Sequence, residues 1–297
     1  MASELDSAEL ALIGCKTTPT REALSLYLRL ARELRIRDSE PIARYGSLLL
    51  KQYRGSLGEE EFWLVHEQAA IAMLDSGVAS AAQPLIKAIA IRFPKSSRTI
   101  RLQGMYFEAG GDFDTAAELY TEALAEDPSN PVFHKRLVAV EKSRGNVNAA
   151  IEGLKKYLET FQGDQEAWEE LGQLYLDQQM YKQALFCCEE LIMFGPSPQR
   201  LVRYADILYT LGNFRMARSY YAKAVEASSG SSARALFGLL QCFANITERV
   251  ALQDARTRAQ MELPDLTAQA LIKMYRQHAP DKLHLLEPTL RAQGLLE

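Results

Sequence analysis

Hydrophobic and polar residues along the stretch 167–196 follow the period of an α-helix. One apolar face combines side chains at i, i+3, i+4 and i+7, namely Trp168, Leu171, Gly172 and Tyr175. Residues spaced in this way lie on the same side of a helix. A second apolar stretch begins near Ala184, and Pro196 follows it. The pattern predicts two helices joined by a short turn.

The same pattern recurs along the chain with a period of 34 residues. The small residue of the second helix is found at Ala82, Ala116, Ala150, Ala184 and, one residue early, Ala217. The turn glycine is found at Gly77, Gly111, Gly145 and Gly212, with Gln179 in the equivalent position. A period of 34 with W-x2-L-G-x2-Y, then a small residue, then proline is the tetratricopeptide signature. The predicted fold is therefore all-α, a right-handed superhelical solenoid of tetratricopeptide helical hairpins.

The repeated residues have mechanical roles in this fold. The turn glycine takes the left-handed conformation that ends a first helix, so we expect Gln179 either to be mildly strained there or to have a different turn. Small residues such as Gly104 and Gly172 let the paired helix approach closely, and the alanines make the tightest contact inside each hairpin. Trp168 is expected to be buried between helices. The pairs Asn130–Pro131 and Ser197–Pro198 each predict a helix start, because a capping side chain precedes a proline.

Composition divides the chain into four predicted regions. Residues 1–20 form a flexible N-terminal tail, and residues 21–58 form two N-terminal helices. Residues 59–230 form the array of about five repeats. Residues 231–297 form an irregular helical C-terminal region, in which Pro264, Pro280 and Pro288 break the chain into short helices. This last region is either a cap for the apolar end of the array or a separate functional module.

Charge and cysteine usage exclude several classes of protein. A net charge of −4 argues against a dedicated nucleic-acid binder, which needs a concentrated basic surface. The four cysteines have no disulfide-framework spacing, so we expect a reducing compartment. The first residues lack a basic region before their apolar run, and no stretch is long enough to span a bilayer. We therefore expect a soluble cytosolic protein.

No constellation of residues predicts chemistry. His66 and His134 occupy the position of Trp168 in their repeats, so both are interpreted as packing residues, and no metal site is predicted. Cys188 is interpreted as a small buried apolar residue, because no base accompanies it. Adjacent carboxylates such as Glu169 and Glu170 point apart on a helix. We expect neither enzymatic activity nor a cofactor or small-molecule ligand.

The inner surface of the array is the remaining candidate site. In this fold it is lined by first-helix positions at fixed distances from the Trp168 position. Those positions hold Arg98, Arg101, Met105, Lys135, Glu166, Glu169, Gln173 and Asp206. The surface is basic at one end and acidic at the other. These charges are either ordinary solvated residues or a cradle that orients an extended partner segment by electrostatic complementarity.

Several stretches outside the generic repeat carry a more specific resemblance. They are LGEEEFWLVHEQ at 57–68, GMYFEA at 104–109, DP at 127–128, GDQEAW at 163–168, ALFCCEEL at 184–191 and RALFGL at 234–239. Their order and distances are similar to those of the family of subunit 2 of the endoplasmic reticulum membrane protein complex. The resemblance covers about 57–240 and weakens at both ends.

The resemblance implies a function without chemistry. It implies a peripheral subunit on the cytoplasmic face of the endoplasmic reticulum membrane. Such a subunit cups the cytosolic parts of membrane subunits, notably 3 and 5, and binds the soluble subunit 8 or 9. The whole complex inserts tail-anchored and multi-pass proteins into the membrane.

The main alternative is a cytosolic adaptor or co-chaperone that binds an extended peptide of another partner. A clamp for the acidic tail of a heat-shock chaperone needs asparagines at defined first-helix positions. Those positions here hold Ile71, Met105, Ala139 and Gln173, or Gln68, Leu102, Arg136 and Glu170. The clamp is therefore disfavoured, while other adaptor roles stay open. An RNA-processing factor would require stacked aromatic residues on a basic groove, a pattern the sequence lacks.

Overall fold

The computed structural model describes residues 2–13, 19–249 and 256–292. Those residues contain sixteen α-helices and two 3-10 turns, and no strand occurs among them. They divide into two compact units, Met1–Gly153 and Leu154–Glu297. The predicted all-α fold of tetratricopeptide hairpins is confirmed, whereas the predicted boundaries of the four regions stay a prediction.

Unit 1 is built from helices that pair with their neighbours along the chain. Its helices are α1 (Ala2–Ile13), α2 (Arg21–Glu33), α3 (Ser39–Gln52), α4 (Glu59–Asp75), α5 (Ala79–Arg92), α6 (Ser97–Ala109), α7 (Phe113–Glu126), α8 (Pro131–Ser143) and the first part of α9 (Val147–Thr160), with a 3-10 turn at Arg54–Ser56. Helix α4 packs on α5, and α6 packs on α7. Ala82 and Ala116, at the centres of these two hairpins, are completely buried.

Unit 2 repeats the arrangement and then departs from it. After the end of α9 it contains α10 (Gln165–Asp177), α11 (Tyr181–Phe194), α12 (Pro198–Thr210), α13 (Phe214–Ala227), α14 (Ala233–Arg249), α15 (Arg256–His278) and α16 (Leu283–Ala292), with a 3-10 turn at Pro280–Lys282. Helix α10 packs on α11, and α12 packs on α13. Helix α14 packs on both α13 and α15, and α15 packs on α16.

The turns inside the hairpins take the backbone conformation that the repeat requires. Gly77, Gly111, Gly145 and Gly212 have φ angles of 76°, 79°, 76° and 76°. Gln179 follows α10 with a φ of 58°, as its place in the glycine position predicts. Its N–H donates to the Leu176 carbonyl at 2.9 Å, and the Met180 N–H donates to the Tyr175 carbonyl at 2.8 Å. The turn therefore keeps its hydrogen bonds although its residue has a Cβ.

Close helix approach depends on glycine at two first-helix positions. A Cβ on Gly104 of α6 would lie 2.3 Å from the ring of Tyr120 on α7. At the equivalent Gly172 of α10, a Cβ would meet the Cβ of Cys187 at 3.3 Å. The repeat thus fills the same space with a tyrosine ring in one hairpin and with a cysteine in the other.

Both ends of the chain differ from the sequence predictions. The tail predicted for residues 1–20 is wrong over Ala2–Ile13, because α1 buries Leu5 and Leu12 in a cluster with Leu24 and Leu28. Residues 14–18 lie outside the described residues. The prediction that prolines break the C-terminal region is also wrong in part, because α15 continues through Pro264 and α16 through Pro288. Packing of α14, α15 and α16 around Leu271 outweighs the hydrogen bond that each proline removes.

Candidate partner-binding surfaces

The first helices carry the residues that the sequence predicts for the inner surface. In unit 1, Arg98 is exposed on α6, Arg101 is half-buried there, and Lys135 is half-buried on α8. Met105 does not belong to this surface, because it is only 9% exposed in a cluster with Ile89 and Leu102. Its flexible apolar side chain fills space against α4, where a polar residue could not.

In unit 2 the corresponding residues lie on α10 and α12. Glu166, Glu169 and Gln173 are exposed on α10, and Asp206 is half-buried on α12. These side chains are all polar, and the two carboxylates of α10 give this part of the surface its acidic character.

The unit 1 charges are paired with one another between neighbouring first helices. The Glu67 carboxylate of α4 forms an ion pair with the guanidinium of Arg98 and a second one, at 2.7 Å, with that of Arg101. One repeat later, Glu108 of α6 pairs with Arg136 of α8 at 3.2 Å. The two arginines predicted to form a basic wall therefore share one carboxylate, and their combined excess is a single positive charge.

Unit 2 contains the same kind of link. The Arg200 guanidinium of α12 lies 3.2 Å from the Glu169 carboxylate of α10, and Arg203 donates to Gln173. Arg234 of α14 lies 3.1 Å from Asp206, which also accepts a hydrogen bond from the Tyr221 hydroxyl. Position-by-position reading of the sequence missed these pairs, whose partners are separated by roughly one repeat. The available signal was an arginine following each carboxylate at that spacing.

A pocket of about 620 Å³ opens beside these ion pairs in unit 1. Its apolar wall contains Trp63 of α4 and Phe93, whose ring centroids are 5.4 Å apart in an edge-to-face arrangement. Its rim contains Arg92, which pairs with Glu59 at 3.0 Å. The remaining lining residues are Glu60, Leu64, Glu67, Ile89, Ser96, Arg98, Thr99 and Leu102. An aromatic floor with charges of both signs suits the side chain of a bound peptide segment. The sequence interpretation did not single out Trp63 or Phe93.

The residues predicted for the repeat core are buried, with one exception. Ala150, Ala184 and Ala217 have no exposed surface. The other buried residues of the predicted repeat core are Gly104, Leu171, Gly172 and Tyr175. Trp168 is only half-buried, so the prediction that it is buried between helices is wrong as to its burial, although its ring contacts α11. Its indole N–H donates to the Gln162 carbonyl at 2.9 Å, and its ring meets the edge of Phe186 at 5.9 Å. The hydrogen bond holds the ring at the surface, because an indole has an apolar body and a polar tip.

His66, Cys187, Cys188 and Cys242 are buried in packing positions. His66 is buried with Nδ1 2.8 Å from the Phe62 carbonyl, and burial lowers the pKa of its imidazole. Burial raises the pKa of the Cys187 thiol to about 12. Across the described part of the chain, no group of three or more histidine, cysteine, aspartate or glutamate side chains is placed to hold a metal ion.

Comparison with known proteins identifies the family. A family model described as the EMC2 TPR-like repeat domain matches residues 88–215, and a tetratricopeptide model matches residues 204–256. ER membrane protein complex subunit 2-A of Xenopus laevis is 38% identical over 212 residues, which cover 70% of this chain and 71% of the relative. The chain belongs to the ER membrane protein complex subunit 2 family. This family assignment agrees with the resemblance read from the sequence.

A second relative and one solved structure are also similar to this chain. The TPR repeat protein oca3 of Schizosaccharomyces pombe is 30% identical over 223 residues, covering 72% of this chain and 79% of the relative. The solved structure of the C-terminal part of a TPR repeat-containing protein from Cytophaga hutchinsonii aligns with a TM-score of 0.54 and 17% identity. That alignment covers 85% of this chain and 97% of the bacterial one, and it shows the shared fold alone. Among the described residues of this family member, every helix is too short or too polar to cross a membrane.

Proposed function

We propose that this chain is a non-catalytic scaffold subunit of the ER membrane protein complex, bound peripherally at the cytoplasmic face of the endoplasmic reticulum. Its first-helix surfaces would hold cytosolic parts of membrane subunits, 3 and 5 among them, and it would also bind the soluble subunit 8 or 9. The complex would then insert tail-anchored and multi-pass proteins. Family membership supports the assembly, and the helical repeats support the role of a scaffold.

The observation that carries the proposal is the pocket of unit 1 beside Glu67. It offers an aromatic wall to an apolar side chain, and the Arg98–Arg101–Glu67 cluster beside it carries one excess positive charge. An acidic residue of a partner segment would gain charge-assisted hydrogen bonds from this cluster. Because the cluster lies at a partly exposed rim, its charge contributes mostly to the rate and orientation of association.

A charge exchange tests this surface without breaking its internal pairs. The variant Glu67→Arg/Arg98→Glu/Arg101→Glu keeps opposite charges in contact, yet changes the excess from one positive to one negative charge. We expect it to melt as the unmodified chain does and to lose co-purification of the membrane subunits at endogenous expression. A matched control is Lys87→Glu, an exposed charge on the second helix α5.

The outcomes separate folding from binding. By contrast with the exchange, Arg98→Glu/Arg101→Glu alone places three carboxylates together and should lower the melting temperature as well as assembly. If the exchanged variant assembles the full complex at normal levels, this surface does not hold a partner and the proposal for it fails.

A further inference from the structure

The loop between α5 and α6 ends in a serine whose hydroxyl is used differently from its equivalents in the other repeats. Ser96 is the N-cap of α6. The equivalent N-caps of α8, α10 and α12 are Asn130, Asp164 and Ser197. In those three helices the capping side chain accepts a backbone N–H of the first turn, at 3.1 Å, 3.1 Å and 3.2 Å. The Ser96 hydroxyl makes no such bond, so it is not engaged in holding the start of its helix.

The charged residues around Ser96 along the chain are all basic. The segment 92–101 contains no carboxylate, and its basic residues are Arg92, Lys95, Arg98 and Arg101. Lys95 is exposed, and the side chains of Arg92 and Arg98 are 56% and 60% exposed, so their ion pairs with glutamates of α4 are open to competition. A serine with exposed cations on both sides has the charge pattern that basophilic protein kinases select.

The other repeats do not have these cations at the same place. The four residues before Ser96 are RFPK, whereas the four before Asn130 are EDPS. The four before Asp164 are TFQG and the four before Ser197 are MFGP, and neither stretch carries a charge. The hairpin therefore forms without basic residues in this loop, and their presence before Ser96 is not required by the fold.

The position of the loop favours Ser96 over the two other hydroxyls of the segment. Residues 93–96 connect α5 to α6 outside both helices. Thr99 is excluded, because it is only 1% exposed and its hydroxyl donates to the Phe93 carbonyl at 2.8 Å. Ser97 already belongs to the first turn of α6, whereas Ser96 precedes that turn. A kinase therefore reaches Ser96 with less local unfolding of the helix.

A phosphate on Ser96 would change the charge of the unit 1 pocket. Ser96 lines that pocket together with Glu67 and Arg98. The Arg98–Arg101–Glu67 cluster has one excess positive charge, and a phosphoserine adds a charge of about −1.5 to −2 at pH 7. Its oxygens also compete with Glu67 for the Arg98 guanidinium. A pocket rim that attracts an acidic partner segment then repels it.

We propose that Ser96 is a phosphorylation site for a basophilic serine kinase, and that its phosphate releases the partner segment from the unit 1 pocket. The inference rests on the function proposed above for that pocket. The kinase transfers the γ-phosphoryl group of ATP to the Ser96 Oγ. An Oγ–P bond forms, the bond between the γ-phosphorus and the β–γ bridging oxygen breaks, ADP leaves, and the hydroxyl proton passes to the catalytic base of the kinase.

The modification is tested on the purified full chain without any partner. The chain is incubated with ATP and the catalytic domain of protein kinase C, and mass spectrometry locates the phosphate. Phosphate on Ser96 supports the proposal, and Arg92→Gln/Lys95→Gln should lower its initial rate of incorporation at least about tenfold. Ser197→Ala is the matched control, since it removes the equivalent serine that no cation precedes, and it should leave the rate unchanged. Phosphate on Ser97 alone, no phosphate in this segment, or an unchanged rate in Arg92→Gln/Lys95→Gln overturns the proposal.

The release of the partner is tested with full chains that carry phosphoserine at one defined position. The chain with phosphoserine at 96 should recover membrane subunits from detergent-solubilised membranes at least about tenfold less than the unphosphorylated chain, and phosphatase treatment should restore recovery. The chain with phosphoserine at 197 is the control and should recover them normally. Equal recovery with phosphoserine at 96, or an equal loss with phosphoserine at 197, overturns the inference and leaves the proposed function standing. If the unphosphorylated chain recovers no membrane subunit, the proposed function itself fails, although phosphate on Ser96 of the isolated chain is still measured.

Discussion

Helices α11 and α13 are neighbouring second helices of one unit, and they differ in how their two faces are built. Their inner faces agree: Ala184 and Ala217 are completely buried at the same repeat position. Their outer faces do not, since α11 exposes Phe186 and Met193 where α13 exposes Ser219 and Glu226. The inner face is fixed by the partner helix of the hairpin and repeats with it. The outer face does not contact a partner helix of the hairpin, so the residue type there can differ between repeats according to the surroundings of that surface.

The first helices behind them show the same contrast. Leu201 of α12 is buried, whereas the equivalent Trp168 of α10 is half-buried and its ring contacts Phe186. The larger side chain, Trp168, is therefore the more exposed of the two, and it lies in the hairpin whose outer face is apolar. The hairpin of α10 and α11 thus has two aromatic side chains, Trp168 and Phe186, that are partly exposed at its surface.

The largest expected effect is on the free energy of unfolding, and it compares the buried Leu201 with the partly exposed Trp168. Leu201→Ala should cost roughly 2–5 kcal/mol of unfolding free energy, as for other buried leucines. Trp168→Ala should cost less than a fully buried tryptophan would, because part of the Trp168 ring is exposed whereas Leu201 is buried. Urea unfolding of the two variants measures both values. A larger cost for Trp168→Ala would mean that the tryptophan is part of the core after all.

The inner faces should respond alike. Ala184→Leu and Ala217→Leu both insert a branched side chain into a completely buried contact, and each should cost roughly 1–3 kcal/mol. Phe186→Glu, on the outer face of α11, should stay within about 0.5 kcal/mol of the unmodified chain. Thermal melts of all three provide the comparison. If Ala184→Leu proved neutral while Ala217→Leu did not, the two inner faces would not be equivalent.

An exchange of turn residues gives a smaller effect of known sign. Gln179 has a left-handed backbone in the turn before α11, and Gly212 has it in the turn before α13. Gln179→Gly should stabilise by roughly 0.5–1 kcal/mol, which is the relieved strain less the extra entropy of an unfolded glycine. Gly212→Gln should destabilise by a similar amount. Equal and opposite shifts in the urea midpoint are expected, and shifts of the same sign would contradict the assignment.

The smallest effect concerns pH. Burial, and secondarily the neighbouring Cys188, raises the pKa of the Cys187 thiol from 9.0 to about 12. The folded chain keeps the neutral thiol, so its stabilising contribution is complete below pH 9 and declines as the pH rises from 9 towards 12. The free energy of unfolding of the unmodified chain should therefore fall by about a few tenths of a kcal/mol between low pH and pH 9, and this decrease should be absent in Cys187→Ala.

Tyr221→Phe on α13 is the matched control for this pH dependence. Burial raises the pKa of the Tyr221 phenol, whose ordinary value is 10.0, so its contribution should decline only above that pH. Urea midpoints measured from pH 8 to 10 separate the two helices. An unchanged slope in Cys187→Ala would show that this thiol does not titrate with unfolding.

Much of the fold could be predicted because the repeat constrains it. The left-handed turns at Gly212 and Gln179 and the buried Ala184 follow from positions that serve the same helix pair in every copy. The surface could not be predicted in the same way. Whether Arg101 faces a partner or Glu67 depends on the neighbouring helix, and the fate of Trp168 depends on Phe186 eighteen residues later. These are pairwise relations, and reading one position at a time does not register them.

The two partners of each ion pair between first helices are synthesised in a fixed order. Glu67, Glu108 and Glu169 are each made before the arginine that neutralises them, and the wait is 28–34 residues of synthesis. A growing chain that ends between such partners carries a carboxylate without its counter-charge. The ribosome is an anionic RNA surface, and like charges repel. We expect a chain stalled just before Arg98 to be cross-linked to ribosomal RNA less than the same chain carrying Glu67→Gln, and equal yields would show that this order of synthesis has no such effect.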